Sequence, residues 1–243
     1  IRVLNIAPKL QRIRLEISSR ELSDKRGDKK VLIFVSPGRC GTTRIAEILR
    51  VKLPSEEFVV THQMPFSRLA NVAGNLMYYF GQSEKIKEKL YKLVVSRYIS
   101  RKHFITSDPL TAMIIPKKWV ESENVCIVQI TRAPEEFAES FYHFSRKKMK
   151  SFVAHNFIPF WQPRVLPLEN LLSAMINKKY EKVGQEKEIF FDSVYARNPN
   201  YIKLDVHKLF DTNFIVRLIK SFFYHSIEVK PSELSIKCNQ SRK

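Results

Sequence analysis

Residues 31 to 50, VLIFVSPGRCGTTRIAEILR, constrain what this chain can fold into more than any other stretch. Val31, Leu32, Ile33, Phe34 and Val35 form a continuous apolar run, the pattern of a parallel strand covered on both faces. The tight loop Ser36-Pro37-Gly38-Arg39-Cys40-Gly41-Thr42-Thr43 follows. Ile45, Ile48 and Leu49 then recur at helical spacing, with Arg44, Glu47 and Arg50 turned outward. Glycine at 38 and 41 lets backbone N–H groups come close to a ligand, and the start of the helix adds the positive end of its dipole. Such a loop suits a bound phosphate. Its plainer reading is an ordinary strand-to-helix turn.

Beyond this unit the pattern predicts strands at 58–60, 103–105, 125–130 and 201–204. Helices are expected over 66–80, from Ser83, from Ala133-Pro134-Glu135-Glu136, over 168–176 and over 209–223. In the helix from Ser83, Ile86, Leu90, Leu93 and Val94 are expected inward and Lys85, Lys87, Lys89 and Lys92 outward. Residues 151–166, aromatic and broken by prolines, read as a lid or binding loop, and residues 1–30 as an arm or edge strand. Strands alternating with helices imply an α/β chain with a three-layer, P-loop-like fold, a central parallel sheet flanked by helices. The 243 residues suit a single domain.

A formal charge of +18 points to an anionic partner, whether nucleotide, nucleic acid, glycan or acidic membrane face. Composition does not choose among them. Cys40, Cys126 and Cys238 have no metal-ligand spacing, and their odd number gives no disulfide framework, which favours a reducing compartment. No apolar run reaches the roughly 18 residues of a membrane span. These features make a cytoplasmic location the expectation, while a chain beginning at Ile1 leaves a preceding targeting or Golgi-anchoring segment open.

The loop at 36–43 is not a Walker A motif, because Gly41 is followed by Thr42 and not by lysine. A nucleotide kinase or NTPase loses its principal phosphate-binding cation, although Arg39 could supply one from another direction. A second signal lies after the strand at 125–130. Arg132 ends that strand and Ser140 sits two turns into the next helix, so together they could hold a second phosphate near the first loop. Each has a plain alternative: a surface salt bridge for Arg132, an incidental helix serine for Ser140.

The two motifs together resemble those of the sulfotransferases that use 3′-phosphoadenosine 5′-phosphosulfate (PAPS). In that family P-K-x-G-T-T binds the 5′-phosphosulfate and R-x-x-x-x-x-x-x-S the 3′-phosphate. The stretch from Ile105 to Phe144 is also similar to the cytosolic branch in layout, with T-x-x-P, a P-K-K-W stretch and an arginine helix ending S-F-Y-H-F. The resemblance implies in-line transfer of a sulfuryl group to an acceptor hydroxyl or amine, with release of 3′-phosphoadenosine 5′-phosphate (PAP) and no metal. It implies a cofactor cradle of Gly38, Arg39, Cys40, Gly41, Thr42 and Thr43, completed by Arg132 and Ser140. Arg39 occupies the position of the family lysine; it keeps the charge, but an arginine does not readily deliver a proton to the leaving group.

The acceptor must lose a proton, so a general base is expected. Where the cytosolic branch has T-H-x-P, this chain has Thr106-Ser107-Asp108-Pro109. Asp108 is one candidate base; His62, in Thr61-His62-Gln63-Met64-Pro65, is the other. Asn239 and Ser241 could reach the nucleotide in the manner of some family C-termini, but the R-K-G-x-x-G closure is missing. The acceptor, a small alcohol or phenol, a glycan or a peptide, is not specified, and nucleic acid is the less favoured partner. A non-catalytic anion-binding module on the same fold is the remaining alternative.

Overall fold

The computed structural model of the chain describes residues 29–99, 102–147, 149–158, 160–162, 173–225 and 227–230, with the backbone alone at 151 and 173–177. The elements are β1 (Val31–Val35), α1 (Thr42–Lys52), β2 (Phe58–Thr61), α2 (Ser67–Phe80), α3 (Glu84–Val95), β3 (His103–Thr106), α4 (Lys117–Val120), β4 (Val125–Thr131), α5 (Pro134–Arg146), α6 (Met149–Phe157), α7 (Ser173–Tyr195), β5 (Asn200–Asp205), a short 3₁₀ turn (Lys208–Phe210) and α8 (Thr212–Phe223). The proposed arm at 1–28 and the tail residues Cys238, Asn239 and Ser241 lie outside the described residues.

The five strands pair in the order β2-β3-β1-β4-β5, all parallel. β1 is central and buried along its whole length. Its alternating side chains go to two cores. Leu32 and Phe34 pack with Ile45, Ile48 and Leu49 of α1 and with Ile215, Leu218 and Ile219 of α8. Val31, Ile33 and Val35 pack on the other side with Met77 of α2, Tyr91 and Val94 of α3 and Phe191 and Tyr195 of α7. That is the expected three-layer α/β arrangement, and it explains the unbroken apolar run in β1. The chain leaves β1 toward β2 and β3, then crosses to β4 and β5. The strand order therefore reverses between β1 and β4, and the loops at their carboxyl ends line the crevice there. Those loops are 36–41 and the segment beginning at Arg132.

Three expectations need correction. In α3 the inward face is Lys87, Tyr91, Val94 and Val95, and Ile86 turns to solvent. Lys87 lies one turn before Tyr91, so the aromatic anchor fixes its face; the ammonium pairs with Glu84 at 3.2 Å while the stem is buried. Where a loop was expected from 151, the chain is helical to Phe157, because no proline interrupts it before 159. And α7 runs to Tyr195, far beyond the predicted end at 176; residues 168–172 lie outside the described set.

Beyond the carboxyl ends of the strands, Phe137, Ala138 and Phe141 of α5 pack on Tyr180 of α7 in a third apolar cluster. The two helices approach closely at Gly184, where an added Cβ would sit 2.8 Å from the Phe137 ring. This contact brings the next turn of α7 against the loops described below.

Candidate functional site

The loop after β1 is held by its carbonyl groups. Pro37 O accepts from Lys187 Nζ of α7 at 3.2 Å, and Arg39 O accepts from an Arg132 guanidinium nitrogen at 2.8 Å. Gly38 O takes the Cys40 thiol at 3.0 Å, Gly41 O takes Ile45 N at 3.2 Å, and Thr42 O takes the Ser107 hydroxyl at 2.8 Å. In a trans peptide the C=O and the following N–H point in opposite directions. With these carbonyls engaged, the amides of Arg39, Cys40, Thr42 and Thr43 have no acceptor among the described residues, at the amino end of α1.

Three residues reach this shape through the left-handed backbone region: Gly38 (φ 115°), Arg39 (φ 57°) and Gly41 (φ 71°). At Gly41 the constraint is also steric, since a Cβ there would lie 2.3 Å from Phe210 Cζ of the 3₁₀ turn. Arg39 is the costly member, because a side-chain-bearing residue adopts this conformation against a penalty.

The Arg39 guanidinium stacks over Phe144 of α5, 4.6 Å from the ring centroid. Its Nε is buried and has no hydrogen-bond partner among the described residues. Burial first, and the neighbouring Arg132 charge second, pull its pKa below the ordinary arginine value. An unsatisfied, desolvated N–H on a cation is costly unless an anion arrives. Arg132 shares its guanidinium between Arg39 O and Glu136, 3.3 Å away, and its backbone N donates to Glu188 at 3.2 Å. Cys40 is fully buried and burial pushes its thiol up to about 12, so it stays neutral.

His62 follows β2 and Ser107 follows β3. The β2–β3 register pairs Thr61 with Thr106, which sets these two residues side by side. His62 Nδ1 lies 2.9 Å from Ser107 O, and a carbonyl can only accept, so Nδ1 carries the proton. Nε2 is then the lone-pair nitrogen, and it accepts from the Thr43 hydroxyl at 2.9 Å. The histidine thus bridges two strand ends to the loop.

Asp108 is buried differently. Its Oδ2 accepts from Met64 N at 2.9 Å and from the Ser67 hydroxyl, and its Oδ1 accepts from Leu110 N at 3.0 Å. Burial raises its pKa, with the Ser67 bond pulling the other way. Both oxygens are committed to joining the end of β3 to the start of α2. Ser140 sits half-exposed on α5, and among the described residues no hydrogen bond joins it to Arg132.

The structure therefore brings together the loop, Arg39, Arg132 and His62. It adds three residues of α7 that the sequence reading passed over: Lys187 on Pro37, Glu188 on Arg132 N, and Asp192, which accepts from Gln129 of β4 at 3.0 Å. For Glu188 and Asp192 the i, i+4 spacing was the available signal, but charged residues at such spacing ordinarily face water.

Comparison with known proteins gives one family. The sulfotransferase domain matches residues 28–203. No curated protein matches the chain. Among solved structures, mouse sulfotransferase SULT7A1 complexed with PAP aligns at 17% identity and a TM-score of 0.46, covering 88% of this chain and 65% of that one. A sulfotransferase from Alicyclobacillus acidocaldarius aligns at 13% identity and a TM-score of 0.44, covering 85% of this chain and 89% of that one. The chain thus spans 65% of the mouse protein's length. With residues 28–203 of 243 matched, the chain belongs to the sulfotransferase domain family.

Proposed function

We propose that this chain transfers a sulfuryl group from PAPS to an acceptor hydroxyl or amine. The observation that carries the reading is the buried Arg39 Nε, without a partner among the described residues, beside a loop whose amides also lack acceptors there. A phosphosulfate fits it: the amides and Arg39 are donors without acceptors, and the anion brings acceptors without donors. When bound, PAPS supplies the activated sulfuryl group.

The chain's own residues then divide the work. Arg39, desolvated against Phe144, is suited to hold charge developing on the departing nucleotide. Arg132 takes the second phosphate, in exchange for its contact with exposed Glu136, and Ser140 is the neighbouring hydroxyl on that side. Thr43 directs its hydroxyl proton to His62 while the donor is absent, and its backbone N–H is free to meet the anion. His62 is the better-supported base. Its lone-pair nitrogen adjoins the loop, and its other nitrogen is fixed by Ser107. To take the acceptor's proton, Nε2 must first lose the Thr43 hydroxyl to the donor. Asp108, with both oxygens engaged, acts as the brace of the turn that carries His62.

Thermal shift with PAP, set against ATP plus magnesium, tests the donor. PAP should stabilise the protein, and stabilisation by ATP-magnesium alone would sink the reading. Arg132→Ala should weaken PAP binding about 10- to 100-fold, the loss of a charged contact in a desolvated site. A labelled-donor screen over alcohols, phenols, glycans and peptides then tests transfer. Binding without transfer across that panel would favour a non-catalytic anion module.

A further inference from the structure

Lys187 is a buried cation that the transfer above does not use. It is 4% exposed, on α7, and its Nζ donates to the Pro37 carbonyl at 3.2 Å. A buried ammonium needs a countercharge or a full set of acceptors to offset its lost hydration. Among the described residues, the groups around it supply no negative charge. Cys40 in the loop is a neutral thiol, and His155 on α6 is held neutral because burial, and then Lys187 itself, depress it to about 4. Glu188, next on the same helix, is turned to Arg132 N, and the other charges on the loop are the cations Arg39 and Arg132.

We infer that Lys187 is a positioning residue of the donor site. From beneath the loop it fixes the Pro37 peptide and adds a buried positive charge, which the loop's own sequence carries on Arg39 but lacks after Gly41. This rests on the reading that the loop binds the donor's anion. Two successive residues of α7 thereby serve both phosphate-facing segments, Lys187 the loop after β1 and Glu188 the segment after β4.

The consequence is measurable without turnover. Burial lowers the Lys187 ammonium to about 8, so an anion arriving at the loop draws it back toward the charged form. Above that value, binding takes up a proton. Cys40 and His155 do not change state in that range, and arginine stays charged there.

The test is PAP affinity by calorimetry between about pH 7 and 9.5 for the native chain, Lys187→Met and Lys187→Arg, with thermal melting to verify folding. Native affinity should fall by up to about tenfold per pH unit above the Lys187 pKa. Lys187→Arg should stay tight with a flat profile. Lys187→Met should be flat and about tenfold or more weaker at neutral pH. A methionine variant with native slope and affinity overturns the inference while leaving the donor reading intact. An arginine variant as weak as the methionine one also overturns it, since charge would not then be what matters. Native protein that ignores PAP at every pH overturns the donor reading and this inference with it.

Discussion

At the scale of single residues, the loop tolerates few alternatives, and Gly41 is the least replaceable. Gly41→Ala combines a left-handed φ of 71° with a Cβ 2.3 Å from Phe210. The backbone penalty and the overpacking together should cost about 3 kcal/mol in denaturant unfolding and abolish PAP binding. Adding Phe210→Ala should recover stability in part only, because it relieves the clash and not the φ. Gly41 could be read from the sequence, since glycine in a strand-to-helix turn has few other reasons to be there. Arg39 could be read as a cation but not as a strained one, since nothing local announces its backbone. Lys187 could not be read at all. Its neighbours Gln185, Glu186 and Glu188 give the signature of a solvated helix face, and burial comes from Gly184, whose missing side chain draws α7 onto Phe137.

At the scale of elements, the role of general base, open in the sequence between Asp108 and His62, goes in the proposed reading to His62 at the end of β2. A variant series separates them. Asp108→Ala leaves the buried amide of Met64 and the part-buried amide of Leu110 without acceptors and should cost about 3 kcal/mol of stability. His62→Ala should change stability by about 1 kcal/mol or less, keep PAP binding, and lose transfer. The reverse pattern, a stable but inactive Asp108→Ala, would return the base to Asp108. The strands and most helices were legible because buried strands read as apolar runs and α1, α2 and α5 carry clear periodicity. The pairing of His62 with Ser107 was not, because it depends on the β2–β3 register, which links residues that no local pattern connects. The helical character of 149–157 was obscured by aromatics and prolines that gather just after it.

At the scale of the whole molecule, the third cluster ties α5, α6 and α7 together beside the site and gives the fold a pH dependence. His155 meets Phe141 edge-on with ring centroids 4.7 Å apart, and the Gln162 side-chain amide reaches its Nδ1 at 2.9 Å. Its folded pKa of about 4 lies below the ordinary 6.5, so between these values the unfolded chain binds more protons than the folded one. Stability should therefore fall as pH drops from about 6.5 toward 4, and His155→Phe should flatten that slope in chemical denaturation. An unchanged slope would assign the acid sensitivity elsewhere. The anchored carbonyls of the loop have a kinetic counterpart. Side chains after β2, β3 and β4 and on α7 hold the loop, so the ligand does not have to organise it on arrival. If the loop holds the donor as proposed, association is set by diffusion toward a cationic crevice and slows with added salt, while the lifetime of the complex is set by how fast charges leave the loop.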